Sequence, residues 1–161
     1  MNDESASPVC YAAHTDDVYM GYAGKDEISA VLNELLEIER AAIRIVQNSK
    51  ASVENPEMAH LIAEMCNDEA KWCTLLASQI RRIGAVPSRR RGAYYGKTIA
   101  IPDPYERLSV LTRVQVRKLS ELIPRVREDS LHATLSLMKA RRIENIMITE
   151  QCIALRISQA S

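Results

Sequence analysis

Glu69, in the stretch EMCNDEAKWC, falls on a row of residues spaced three and four apart: Met58, Ile62, Met65, then Trp72, Leu76, Ile80 and Ile83. That spacing places them on one face of a helix, so the carboxylate should point toward the core. Glu39 interrupts a second such row, Ile28, Leu32, Leu35, Ala42 and Val46, and Gln115 a third, Leu108, Leu111, Leu119 and Leu122. In a fourth row, Leu135 and Met138 are followed at the next turns by Arg142 and Asn145. Inward carboxylates on facing helices are what a carboxylate-bridged metal pair needs, whereas an arginine among them makes an ion-paired network. An isolated buried charge costs more than folding tolerates, so the interruptions are expected to meet in one interior polar cluster. Ile143 and Met147 offer a competing apolar stripe that would turn Arg142 toward the edge of its helix.

Other side chains capable of chemistry are fewer. None of His14, His60 and His132 follows an inward glutamate by one turn, and solvent-facing or helix-end positions are expected for them. Cys10, Cys66, Cys73 and Cys152 form no C-x-x-C pair and are expected to be free thiols; Cys66, one turn before Glu69, is near enough to assist a metal-binding carboxylate. Arg89, Arg90 and Arg91 in SRRRG, followed by Tyr94 and Tyr95, have the groups to contact phosphate and stack on bases. Lys plus Arg equal Asp plus Glu at 21 each, however, so no net field recruits nucleic acid, and a solvated basic loop is the expectation. No glycine-rich phosphate cradle and no serine or cysteine nucleophile with a supporting base is present.

The elements that must position these residues are four long helices. The first runs from an N-cap at Asp26 to NSKAS, and the second from Asn55-Pro56 to Ile83, where Gly84 stops it. The third opens at Asp103-Pro104 and ends or kinks at Pro124, and the fourth begins near Asp129. Between the second and third lie GAVPSRRRGAYYGKTIAIPD, too rich in Gly and Pro for a helix and too long for a tight turn. Short, long, short connections specify an all-α bundle of two antiparallel helical hairpins joined by a long crossover, over residues 25–158. Residues 1–24 read as a loose N-terminal arm without a signal peptide, and no run reaches the roughly 18 apolar residues of a membrane span, so a soluble cytoplasmic protein is expected.

LLEIERAAIRIV, NDEAKWCTLLASQIRRIG, GKTIAIPDPYERLSVLTRVQVRKL and LSLMKARRIENI together resemble the ferritin-like superfamily, and within it a small bacterial branch with a degenerate di-metal site. The resemblance covers about residues 26–155 and implies a ferritin-like four-helix bundle. Metal-binding members place a carboxylate on each helix and add Glu-x-x-His on two of them. By that likeness Glu39 and Glu69 stand at carboxylate positions, Trp72 at a histidine position, Gln115 at a carboxylate position and Arg142 at a histidine position. Lys139 stands where a carboxylate would precede Arg142.

The vestigial set Glu39, Glu69, Trp72, Gln115 and Arg142 therefore implies no resident metal or other cofactor, no catalytic residues, and a role in binding or assembly. The alternative is a metal-dependent oxidase or peroxidase with an altered site, where Glu39 and Glu69 hold iron or manganese with help from Gln115 or Cys66. A homodimer pairing through outer helix faces fits either reading; the small-molecule ligand is undefined. In the first reading Arg142→Ala should lower stability by roughly 3–5 kcal/mol, because it strands two buried carboxylates. Arg89→Ala should do far less, and equal small shifts in thermal melts would reject the buried cluster.

Overall fold

The computed structural model describes residues 17–161. The N-terminal arm expected over residues 1–24 lies outside the described residues up to position 16, as do Cys10 and His14. Among the described residues the fold is all-α, with no strand. Its helices are α1 (Lys25–Ser49), α2 (Pro56–Arg82), α3 (Ala93–Lys97), α4 (Pro104–Leu122) and α5 (Asp129–Ala160).

The boundaries follow local chemistry. Asn55 caps α2 by accepting from the Glu57 and Met58 amides, and Asp103 caps α4 through the Tyr105 amide at 2.8 Å. Each is followed by a proline at the first helical position, where no amide hydrogen is needed. At the end of α2, Gly84 takes a left-handed φ of 78°. The Ala85 amide then bonds Ile80 O and the Gly84 amide bonds Arg81 O, closing a Schellman turn. Pro124 ends α4 in a single 3₁₀ turn, Ile123–Arg125. The start of α1 differs from expectation: Gly24, not Asp26, is its N-cap, and no side chain caps it. Residues 20–24 turn onto the domain, with Ala23 buried and its amide bonded to Arg125 O at 2.8 Å.

The apolar core has two halves. Leu32, Leu35 and Leu36 of α1 meet Trp72, Leu76 and Ile80 of α2, Leu119 and Leu122 of α4, and Leu131, Leu135 and Met138 of α5. The other half joins Ile38, Ala42 and Ile45 to Met58, Ile62 and Met65, Tyr105, Leu108 and Leu111, and Cys152. Thus α1 and α5 run from the first half to the second, while α2 and α4 run from the second to the first. The most extensive contacts are between the antiparallel pairs α1 with α2 and α4 with α5.

The segment between α2 and α4 returns the chain along the outside of α1. Its Gly and Pro content predicts no helix, yet it includes the single turn of α3, between Gly92 and Thr98. Polar side chains spaced by helical turns on α1 hold it. Asn33 bonds Val86 O and the Ser88 amide, and Glu37 accepts from Ser88 Oγ at 2.5 Å. Arg40 Nη1 donates to Ser88 O at 2.5 Å, and Asn48 donates to the Tyr95 hydroxyl at 3.2 Å.

Helix rotation is testable at two leucines two positions apart on α5. Leu135 is buried and Leu137 is 67% exposed. Leu135→Ala should cost about 2–5 kcal/mol in chemical denaturation, and Leu137→Ala less than about 0.5 kcal/mol. A reversed order would mean that α5 is rotated.

Candidate functional site

Where the two apolar halves meet, all four long helices contribute a buried polar side chain: Glu39, Glu69, Gln115, and Arg142 with Asn145. Arg142 has no solvent exposure. Its Nη1 donates to Glu69 Oε1 at 2.5 Å and lies 3.6 Å from Glu39 Oε2. Its Nη2 donates to Asp68 Oδ2 at 2.8 Å. Gln115 Nε2 donates to Glu39 Oε1 at 2.7 Å, fixing the carboxylate from the α4 side. Asn145 Nδ2 makes two longer bonds, 3.4 Å each, to Asp68 Oδ2 and Glu69 Oε1. At the rim, Arg141 Nε lies 3.1 Å from Asp68 Oδ1.

The charges do not cancel if all are ionised. Three carboxylates (Glu39, Asp68, Glu69) face two guanidiniums (Arg141, Arg142), leaving one formal negative charge inside. Among the described residues Glu39 Oε2 and Glu69 Oε2 accept no hydrogen bond, and Arg142 Nε donates none. Burial pushes the Glu69 carboxyl above its ordinary value near 4.5, against the opposing pull of Arg142. We take burial to prevail, because Arg142 is shared among three carboxylates and a proton on Glu69 still leaves Oε1 free to accept from Nη1.

Trp72, one turn beyond Glu69, packs in the first apolar half beside Leu76. Ile143 and Met147 are exposed, so the competing stripe faces outward and Arg142 inward. His60 lies in solvent 3.6 Å from Glu64, and His132 is exposed. Cys66 packs with the second apolar half and Cys73 with the first. Burial, with the Glu69 charge adding, pushes Cys73 up to about 11, so it is a poor nucleophile at neutral pH. Arg89, Arg90 and Arg91 are exposed, but the neighbouring tyrosines are engaged. The Tyr95 ring has Arg44 at 4.0 Å and Arg107 at 4.4 Å, and the Tyr94 hydroxyl donates to Glu34 at 3.0 Å.

Asp68 and Arg141 are the members that row-by-row reading passes over. A signal was present: the dipeptide Asp68-Glu69 on α2 complements Arg141-Arg142 on α5 in sign and order of burial. Asp68 also lies three residues after Met65 and four before Trp72, at the margin of the inward face.

The donor set does not fit the di-metal centre that the resemblance implies. Such a centre needs several carboxylates and facing imidazoles, and here a fixed guanidinium sits against the same oxygens that would ligate the ions. Among the described residues no group of three or more His, Cys, Asp and Glu side chains is arranged to hold a metal ion.

The raised Glu69 pKa sets the sign of a pH effect. An acid with a higher pKa folded than unfolded binds more protons when folded, so its contribution is full below the unfolded value and fades as pH rises through the folded one. Relative to Glu69→Gln, which mimics the protonated acid, the wild-type chain should lose stability as pH rises above the ordinary carboxyl value of 4.5. Urea denaturation on either side of that value measures the difference, and a pH-independent one would contradict the assignment.

No curated protein and no solved structure matches the chain. The family described as a domain of unknown function, DUF6306, matches residues 26–151, from the first turn of α1 to the last third of α5 and across every member of the network. The chain belongs to that family.

Proposed function

We propose that this chain is a ferritin-like four-helix bundle that works by binding or assembly, without a resident di-metal centre. Support for the bundle comes from two antiparallel pairs joined by a long segment that carries the chain from one end of the core to the other. Support for metal-free action comes from one observation: the Arg142 guanidinium, 2.5 Å from Glu69 and 3.6 Å from Glu39, is a covalently fixed cation between the two carboxylates. A guanidinium stays charged when buried and can satisfy several acceptors, so it neutralises acids and holds the helices in register. The same reading includes a soluble protein that pairs as a homodimer. No described helix is long and apolar enough to cross a membrane.

Elemental analysis of protein purified from cells grown with added iron and manganese tests the proposal. The expected result is no stoichiometric iron, manganese or zinc, with Glu39→Gln leaving trace metal unchanged. One tightly held ion per chain, lost in Glu39→Gln, would replace this reading with the altered-site oxidase or peroxidase.

A further inference from the structure

A cavity of about 540 Å³ lies between α1, α2 and the segment that follows α2, lined by Arg40, Ile43, Arg44, Gln47, Cys73 and Arg91. Arg40, Arg44 and Gln47 are spaced four and three apart on α1 and therefore project from one face. Arg91 arrives from the opposite wall, and Arg40 Nη1 anchors that wall by donating to Ser88 O and Arg90 O. Among the described residues none of the three guanidiniums pairs with a carboxylate, although Arg82, Arg113, Arg125 and Arg156 each do. No acidic side chain lines the cavity. Glu37, three residues before Arg40 on α1, accepts from Ser88 Oγ, and Glu69 is bound to Arg142.

Three like charges brought to one concavity repel unless an anion joins them, and guanidinium forks match phosphate oxygens in geometry and charge. The Arg44 guanidinium is held by stacking on Tyr95 at 4.0 Å, which leaves its N–H donors free. Arg40 uses only Nη1 on the backbone, so Nε and Nη2 remain. The cavity falls in the size range of small-molecule sites. We infer that this cavity binds a small phosphate-bearing molecule of charge −2 or greater, held by Arg40, Arg44 and Arg91 with Gln47 as a neutral partner. The walls, the Tyr95 ring held by Arg44 and Arg107 and the Tyr94 ring covered by Lys97 favour a compact anion over a stacked nucleic-acid strand.

This names a ligand class for the binding role proposed above and rests on that reading. Elemental analysis tests the metal-free reading separately, so the two can fail independently. Titration calorimetry on the full chain at fixed ionic strength, with inorganic phosphate and pyrophosphate as probes, should show saturable binding, tighter for pyrophosphate. Arg91→Glu and Arg44→Gln should each weaken it about tenfold or more, whereas Arg81→Glu on the exposed side of α2 should leave it unchanged. Pyrophosphate should also slow alkylation of Cys73, read by peptide mass spectrometry. Melting curves establish that the variants fold; Arg91 makes no described contact whose loss would unfold the chain. Absence of saturation, or equal loss in Arg81→Glu, would overturn the inference. Tighter binding of citrate would assign the cavity to carboxylates instead, and tighter binding of a single-stranded oligonucleotide lost in Arg91→Glu would make it a nucleic-acid surface.

Discussion

A guanidinium with no solvent contact is tolerable only where carboxylates surround it, and Arg142 imposes that condition on four helices at once. Its Nη1 and Nη2 reach Glu69 and Asp68 on α2 and approach Glu39 on α1, while Gln115 of α4 braces Glu39. Sliding α1, α2 or α5 by one turn would pull a buried charge from its partner, and sliding α4 would take the Gln115 donor from Glu39. Apolar contacts alone would be less selective, because leucine and isoleucine rows interdigitate in more than one register. The polar layer therefore does for alignment what the two apolar halves do for cohesion.

The same layer carries an imbalance that hydrogen bonds do not remove. With Arg141 drawn to Asp68 at the rim, one guanidinium remains for two fully buried glutamates. A shared proton, rather than a second fixed cation, is the economical way to neutralise the interior. Cys73 lines the arginine-bearing cavity, and its thiol also feels the charges of Glu69 and Arg142 in the interior network. Charge in one is felt in the other, and an anion among the arginines would oppose ionisation of the glutamates.

Much of this was legible from residue spacing. The apolar rows around Glu39, Glu69 and Gln115 identify the buried face of each helix because only one face of a long helix can meet a core. Proline after Asn55 and after Asp103 marks two helix starts, and Gly84 one end, because backbone chemistry at those points is local. Asp68 was less visible: at the margin of its row, it becomes part of the network only because Arg142 extends past Glu69 to reach it. Cys66 and Cys73 lie three residues before and four after Glu69 on the same side of α2, and their height along the helix put the first in the second apolar half and the second in the first. The short helix α3 carries little local signal because Gly96 within it and Gly92 at its N-cap oppose helix formation, while Tyr94 and Tyr95 anchor it against α1 and α4.

By itself the sequence determined which side chains are inward, how many long helices there are and where most of them begin, since periodicity and capping depend on neighbours within a turn or two. Tertiary structure decided the partners: that Arg142 binds Asp68 as well as Glu69, that Tyr95 is held between two arginines, and that Arg91 comes to face Arg40 and Arg44. Those pairings join residues from 12 to 74 positions apart, and their distances depend on how the helices and the segment after α2 pack rather than on any local preference.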